Sequence, residues 1–418
     1  MKHFLQGQFR KQVGATFFAQ LIGLVFSIST AAIIARYLGP EGKGMFALAL
    51  LVPGTLVIFL SFGIGVSNVY FVGSRRLDVP TLTKNSVSFA FLATILGACI
   101  ICVLLASGWF EALLPQVPTW LIVVALVGFP IGLLNGYFIT ILQGLQSIIT
   151  LNIVNLSQGG LTLLFTIILI VGLHLGIAGA LISYLGAGLL GLILLTMILR
   201  REGGIFKSSW NPLIMRSTLS FGLKGQIGNI LQFFNYRLDL FILNYFLGPK
   251  DVGIYSVSVG LAELLWYFPN AVSFVIFPKA ANTRPELLNN FTQRVLRITL
   301  GFTAMGAIGL LFLGKPIISI IYSSTFLGAY VPMLALLPGV VLLGGAKVLT
   351  NEIAGRGNPQ YNSINAGLAL VITVILDLLL IPKYGVLGAA LASSTAYTMI
   401  FFTAVGFHRV VRRKILSD

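Results

Sequence analysis

Apolar residues run through this chain in blocks of about twenty or more, separated by short polar turns. Twelve blocks stand out, at about 12–36, 44–72, 84–107, 118–142, 150–172, 177–198, 217–247, 252–278, 291–313, 327–351, 361–381 and 386–408. A helix needs about 20 apolar residues to cross roughly 30 Å of hydrocarbon, and each block is long enough. None shows the short alternating pattern of an outer-membrane barrel strand. The pattern predicts an all-α integral membrane protein with about 12 transmembrane helices. No small-residue cleavage site follows a short apolar core in the first block, so it reads as a retained helix and not a signal peptide.

The blocks repeat. Leu38-Gly39-Pro40-x-x-x-Gly44-Met45-Phe46 returns as Leu247-Gly248-Pro249-x-x-x-Gly253-Ile254-Tyr255, an offset of 209 residues (247 − 38) in a chain of 418. Gly176-Ile177-Ala178-Gly179-Ala180 returns at the same offset as Gly385-Val386-Leu387-Gly388-Ala389. A weaker pair, Gln143-Gly144-Leu145-Gln146 and Ala354-Gly355-Arg356-Gly357, slips by two residues. Two six-helix repeats follow: an N-terminal lobe over 1–199, a polar linker over 200–216 and a C-terminal lobe over 217–418. An even number of crossings gives both lobes the same orientation, with their relating axis along the membrane normal. Repeats on this scale mark secondary transporters, whose substrate path lies between the copies.

Composition fits this reading: 57% of residues are hydrophobic and 9% charged, whereas a soluble domain carries roughly 25% charged residues. The net charge of +16 follows the topology. Of the 27 Lys and Arg, 20 fall on the side holding both termini, five on the other, and Arg237 and Lys347 lie within blocks. Cations accumulate on cytoplasmic loops, so both termini are expected in the cytoplasm. There the cations favour anionic lipid headgroups. No basic patch with interleaved aromatics is present, so nucleic acid is not an expected partner.

Several motifs dissolve on inspection. Gly186-x-Gly188-x-x-Gly191 matches a dinucleotide fingerprint in letters only, since it lies inside an apolar block with no preceding strand; helix packing is the better reading, as for Gly132, Gly136, Gly301 and Gly306. Gly39-Pro40-Glu41-Gly42-Lys43-Gly44 lacks the spacing of a phosphate-binding loop. Cys99-x-x-Cys102 reads as two small apolar packers. His3, His174 and His408 are unrelated in position, so no metal site is expected. No nucleophile, base and orienter come together. An enzyme is not expected, nor a catalytic residue, nor a cofactor.

Charged residues inside a membrane are costly and usually face a cavity or each other. Lys224, Lys347 and Asp377 are near the ends of their blocks, and Lys347 can snorkel. Arg237 lies ten residues before the outer end of block seven, and Glu263 eleven after the outer start of block eight. Both are therefore ~15 Å deep at 1.5 Å per residue, so an Arg237–Glu263 pair is reachable. Asp239 is two residues from Arg237 and should point elsewhere. Ser256, Gly260, Glu263, Tyr267 and Asn270 share one helical face that is small or polar. The pair is either a structural lock between two helices or part of a cavity wall.

The turn Arg36-Tyr37-Leu38-Gly39-Pro40-Glu41-Gly42-Lys43-Gly44-Met45-Phe46-Ala47 resembles the signature after the first helix of oligosaccharide flippases in polysaccharide export. Asn235-Tyr236-Arg237-Leu238-Asp239, then Leu247-Gly248-Pro249, Val252-Gly253-Ile254-Tyr255, Phe268-Pro269-Asn270-Ala271 and Phe277-Pro278, resemble that family's seventh and eighth helices. The chain is thus similar to the Wzx-like branch of the multidrug/oligosaccharidyl-lipid/polysaccharide exporter superfamily. The resemblance implies two six-helix lobes around a central cavity in a bacterial or archaeal cytoplasmic membrane. It implies ion-coupled alternating access that moves an undecaprenyl-diphosphate-linked oligosaccharide to the outer leaflet, for O-antigen, capsule or exopolysaccharide. Membrane lipids, a polymerase and other polysaccharide-assembly proteins are the partners it allows.

With that substrate, Arg237 is suited to grip a phosphate. Tyr236, Trp266 and Tyr267 are suited to stack on sugars, and Asn235, Asn270 and Gln20 to bond hydroxyls. Glu263 or Asp239 is expected to take the coupling ion. The alternatives are a cation-coupled multidrug exporter of the same superfamily, which needs an acidic cavity, and a scaffold or scramblase.

Overall fold

The computed structural model describes the backbone of residues 2–282 and 285–417, and their side chains apart from 2–17, 113, 274–275, 277–278, 281–289 and 414–417. Lys2, Arg10, Lys11, Arg284 and Lys414 from the cation count, and the Phe277-Pro278 motif, lie outside the described side chains. Among the described residues every regular element is helical, with four short 3-10 or π segments between the α-helices. They are α1 (Lys2–Leu60), α2 (Ile64–Gly73), α3 (Val79–Ala106), α4 (Trp109–Leu113), α5 (Thr119–Leu126), α6 (Gly128–Gly144), α7 (Ile148–Thr166) and α8 (Gly176–Arg201), then α9 (Pro212–Leu247), α10 (Pro249–Glu263), α11 (Tyr267–Asn282), α12 (Pro285–Ile317), α13 (Tyr330–Gly355), α14 (Gln360–Tyr384) and α15 (Val386–Ser417).

Each of the twelve apolar blocks falls on one of these helices or on a consecutive pair. Among the described residues, ten stretches are long and apolar enough to cross a membrane by length and composition. Two effects account for the difference. The first two blocks join across Gly39 into one stretch, Phe18–Leu60. The seventh, on α9, carries Lys224, Arg237 and Asp239 and is less apolar.

The repeat seen in the letters is also a repeat of backbone shape. Gly39 has φ 67° and ψ −177°, and Gly248 has φ 88° and ψ 179°. A side chain at such a φ is strained, so glycine holds both turns. The following prolines begin the next helix at the position that has no use for an N–H. Gly176 and Gly385 match in the same way, at φ 57° and 59°. The weaker pair matches as well, with Gln146 at φ 57° and Gly357 at φ 81°. Both close a helix by a six-residue bond, Ser147 N to Leu142 O at 3.1 Å and Asn358 N to Ile353 O at 3.2 Å. Gln146 takes this left-handed position at a cost of roughly 1–2 kcal/mol relative to glycine.

The chain divides into two units, 1–227 and 228–418, so the division falls within α9. In the first unit α1 packs on α7 and α8, and α6 packs on α2, α3 and α8. Its interior holds Leu82, Phe89, Leu133, Tyr137 and Ile141. Asp78 caps α3 by accepting from Thr81 N at 3.2 Å. A side-chain hydrogen bond from Thr81, helped by this backbone bond, holds the Asp78 carboxyl below its ordinary value.

The first turns of α9 belong to this unit because three contacts fix them there. Asn85 Nδ2 donates to Thr218 Oγ1 at 3.1 Å, Ser67 Oγ donates to Thr218 O, and Tyr70 stacks on Phe221 at 4.2 Å. The polar segment before α9 is docked too. Ile205 N donates to Thr83 Oγ1 at 3.0 Å, and Ser209 N to Ser88 Oγ at 2.9 Å. The side-chain hydroxyls of α3 thus satisfy backbone groups of a stretch that lacks a helix of its own.

Gly222 and Gly63 let two backbones touch. A Cβ on Gly222 would stand 2.5 Å from Gly63 O and 2.7 Å from Gly63 C. Backbone cannot swing aside as a side-chain tip does. Gly222→Ala should therefore lower the melting temperature of the purified protein by several degrees, from overpacking worth about 1–3 kcal/mol. Gly136→Ala, where no atom lies within 4 Å of the new methyl, serves as the control and should not lower it, since alanine is favoured over glycine inside a helix by about 0.5–1 kcal/mol.

In the second unit α13 is the central helix, packed by α10, α11, α12 and α15, and α14 packs on α15. Gly339 admits the α15 backbone, since a Cβ there would meet Ser394 Cα at 2.5 Å. Gly186 and Gly188 face Phe165 and Ile131 at 3.2 and 3.4 Å, which bears out packing over nucleotide binding. Gly301, like Gly136, meets nothing within 4 Å, so these two are not close-approach points. Cys99 and Cys102 are exposed and not interior packers. Gly97, two residues before Cys99, and Ile101, one before Cys102, take the buried face of α3 instead.

Candidate functional site

The second unit gathers the charged and aromatic residues of α9, α10, α11, α13 and α15. Pro269 has no N–H for the carbonyl of Leu265, one helical repeat earlier. The chain tightens into a 3-10 turn at Leu264–Trp266 between α10 and α11. A 3-10 turn advances three residues per revolution rather than 3.6, which rotates everything beyond it. Glu263 ends α10 on one side of this turn, Trp266 is the last residue of the turn, and Tyr267 and Asn270 follow on the other side.

Arg237 Nη1 meets Glu263 Oε1 at 3.3 Å, the pair that equal depth made reachable. Their side chains are 37% and 26% exposed, so the pair lines accessible space and is not sealed. Arg237 Nη1 also donates to Tyr236 O at 3.2 Å. A guanidinium has five donors, and the bonds named here engage only Nη1.

Three rings stand beside it. Tyr236 lies 5.3 Å from Trp266 and 6.0 Å from Tyr397, and Trp266 lies 5.7 Å from Tyr397. Trp266 is buried, and its Nε1 donates to Val340 O at 3.2 Å, which fixes the ring on α13. Lys347 sits 4.3 Å over the Trp266 ring and donates to Asn270 Oδ1 at 2.8 Å. The sequence placed Lys347 near the end of its helix with its amine free to snorkel. The structure corrects this: the amine turns toward α11, held by an amide oxygen and a ring face. A cavity of about 120 Å³ opens here, lined by Lys347, Tyr236, Gln232, Thr350, Asn362 and Asn365 among others.

Asp239 points away from Arg237's partner and into the unit. It is 2% exposed. Tyr255 OH donates to Oδ2 at 2.6 Å, Ser393 Oγ to Oδ2 at 3.2 Å, and Leu240 N to Oδ1 at 2.8 Å. Asp377 of α14 is fully buried, and neither of its oxygens has a hydrogen-bond partner. It lies within electrostatic range of Asp239. Its position near the end of the helix hid this burial. Asn365, Ala369, Thr373 and Asp377 recur every four residues and are all buried, the one sequence signal that marked Asp377 as interior.

Other expected residues are placed differently. Asn235 is 1% exposed, and its amide donates to Ala366 O at 2.8 Å and Leu231 O at 3.0 Å. It pins α9 to α14 and offers no free donor. Tyr267 is 42% exposed. Gln20 is half-buried on α1 and belongs to the first unit. Among the described residues no cluster of three or more His, Cys, Asp or Glu could hold a metal.

A family model described as polysaccharide biosynthesis protein matches residues 9–283. A candidate O-antigen transporter of Shigella flexneri is 23% identical over 397 residues, covering 90% of this chain and 92% of its own. Among solved structures, the lipid II flippase MurJ in an inward closed conformation superposes with a TM-score of 0.78 at 18% identity, over 96% of this chain and 88% of that one. A multidrug resistance transporter of the MATE family, inward-facing, superposes with a TM-score of 0.76 at 15% identity, over 96% and 99%. The two structural likenesses carry the fold: a multi-pass helical membrane protein built on the transporter plan shared by MurJ and the MATE proteins.

Proposed function

This chain belongs to the polysaccharide biosynthesis protein family, and on that premise we propose that it is a flippase for a lipid-linked glycan. The finer reading is an undecaprenyl-diphosphate-linked oligosaccharide carried from the cytoplasmic to the outer leaflet of a bacterial or archaeal cytoplasmic membrane. The observation that carries it is the half-exposed Arg237–Glu263 pair beside Lys347, Trp266, Tyr236 and Tyr397. Two cations against one carboxylate leave this wall net positive, which suits an anionic headgroup. Three packed rings beside them offer stacking faces to sugars. Arg237 is assigned the diphosphate, and Lys347 joins it as a second phosphate ligand.

The coupling ion is assigned to Asp239. Two buried carboxylates in electrostatic range cannot both stay charged in low dielectric without a proton or a metal cation between them. Asp377 supplies the second carboxylate. Glu263 already has Arg237 as its partner, so it is the weaker candidate for this role.

The runner-up, export of small cationic compounds, draws on the structural likeness to the MATE protein and on these carboxylates. Reconstitution separates the two readings. Proteoliposomes holding the purified protein should move a fluorescent undecaprenyl-diphosphate oligosaccharide across the bilayer and should not accumulate ethidium. Ethidium transport without lipid flipping would replace the flippase reading with the exporter.

A further inference from the structure

A second cavity, of about 270 Å³, lies where α12, α13 and α15 meet in the second unit. Arg297, His408, Arg409 and Arg412 line it, with Thr292 and Gln293. No acidic residue among the described residues lines it. The one carboxylate behind it is already neutralised: Glu352 is fully buried, with Oε1 2.5 Å from Arg356 Nη2 and Oε2 3.1 Å from His408 Nε2. Arg297, Arg409 and Arg412 are exposed and have no acidic partner within 4.0 Å among the described residues. Three guanidinium groups facing one space without a counter-charge repel each other, and an anion relieves that repulsion.

The surface leading away from these arginines is apolar. Ile308, three helical turns beyond Arg297 on the same face of α12, is 56% exposed, and Phe402 is 62% exposed on α15. Phe402 precedes Arg409 by two helical turns and so shares its face. An occupant with an anionic end and hydrocarbon chains fits cavity and surface together, and a free phosphate fits only the cavity. On the orientation read from the cation bias, this end meets the inner leaflet. Basic pockets between helices on that side suit anionic headgroups.

We propose that this cavity seats the phosphate headgroup of an anionic phospholipid of the inner leaflet, apart from the site of the transported substrate. The arginines bond its phosphate oxygens by charge-assisted bonds, and its chains lie along Ile308 and Phe402. The proposal does not depend on which substrate the protein carries.

The test uses the full-length protein in neutral detergent. Phosphatidylglycerol should raise the melting temperature in a saturable way, and phosphatidylcholine and inorganic phosphate should not. The triple variant Arg297→Gln/Arg409→Gln/Arg412→Gln should need at least about tenfold more phosphatidylglycerol for the same shift. Arg75→Gln/Arg76→Gln, which removes two inner-side charges elsewhere, should need no more than the parent. Should the triple variant fail to fold, native mass spectrometry of Arg409→Gln keeps the test decisive through the loss of retained phosphatidylglycerol. An equal shift from inorganic phosphate would make this a free-anion site and overturn the lipid assignment. An equal shift from phosphatidylcholine, or an unchanged requirement in the arginine variants, would overturn the site itself.

Discussion

Arg237→Ala should reduce flipping of a lipid-diphosphate glycan by about tenfold to a hundredfold, the loss of one charge-assisted bond of about 1.5–3 kcal/mol. Membrane levels of the protein should stay within about twofold of the parent, because the pair is partly exposed and exposed pairs add little to stability. Arg237→Lys should recover part of the rate, since an ammonium keeps the charge but not the forked geometry. The double variant Arg237→Ala/Glu263→Ala separates the two roles of the pair. If Arg237 merely locks α9 to α10, removing both partners spares the leftover carboxylate and restores transport. If Arg237 binds the diphosphate, the double variant stays as inactive as the single one. Full transport by a well-expressed Arg237→Ala protein would falsify the phosphate role. Lys347→Ala, measured alongside, should give a second and separable loss, because its amine is held on Asn270 and Trp266 and not on Glu263.

Asp239→Asn should uncouple flipping from the ion gradient. An amide keeps the shape and accepts from Tyr255, but it carries no charge for a cation to neutralise. In proteoliposomes the parent should flip faster with an imposed proton or sodium gradient, and Asp239→Asn should run at the same rate with and without it. Asp377→Asn should do likewise, because either carboxylate alone no longer forces a cation into the site. Glu263→Gln should keep the gradient dependence, as its partner is Arg237. A parent protein indifferent to both gradients would remove ion coupling by these groups. A gradient response lost in Glu263→Gln and kept in Asp239→Asn would move the ion to Glu263.

The two expectations differ in how far the sequence supported them. Depth along two helices joined by a tight turn was enough to foresee the Arg237–Glu263 contact, because rise per residue is fixed in a helix. The same measure does not reach Lys347 and Asp377. Distance from a helix end says how far a residue lies from water along the axis, and nothing about which neighbour its side chain meets. Lys347 turned toward Asn270 and Trp266, and Asp377 turned inward, within electrostatic range of Asp239. Asn235 was misjudged in the opposite sense, since a polar residue in a transmembrane helix serves equally to hold another helix.

The sequence by itself determined the membrane class, the twelve apolar blocks and the two-fold repeat. These follow from hydrocarbon thickness and from backbone turns that glycine takes without strain. Gly39 and Gly248 sit 209 residues apart with the same left-handed turn, and Pro40 and Pro249 each start the helix that follows. What only the tertiary structure decided was lateral: which side chains from α9, α11, α13, α14 and α15 meet. Helix rotation is set by packing among neighbours, and it shifts again at the 3-10 turn that Pro269 imposes. Contacts between residues more than a hundred positions apart, such as Tyr236 with Tyr397 and Asp239 with Ser393, therefore leave no periodic trace in the chain. They depend on how whole helix faces fit together, and that fit is where the charges of the site acquire their partners.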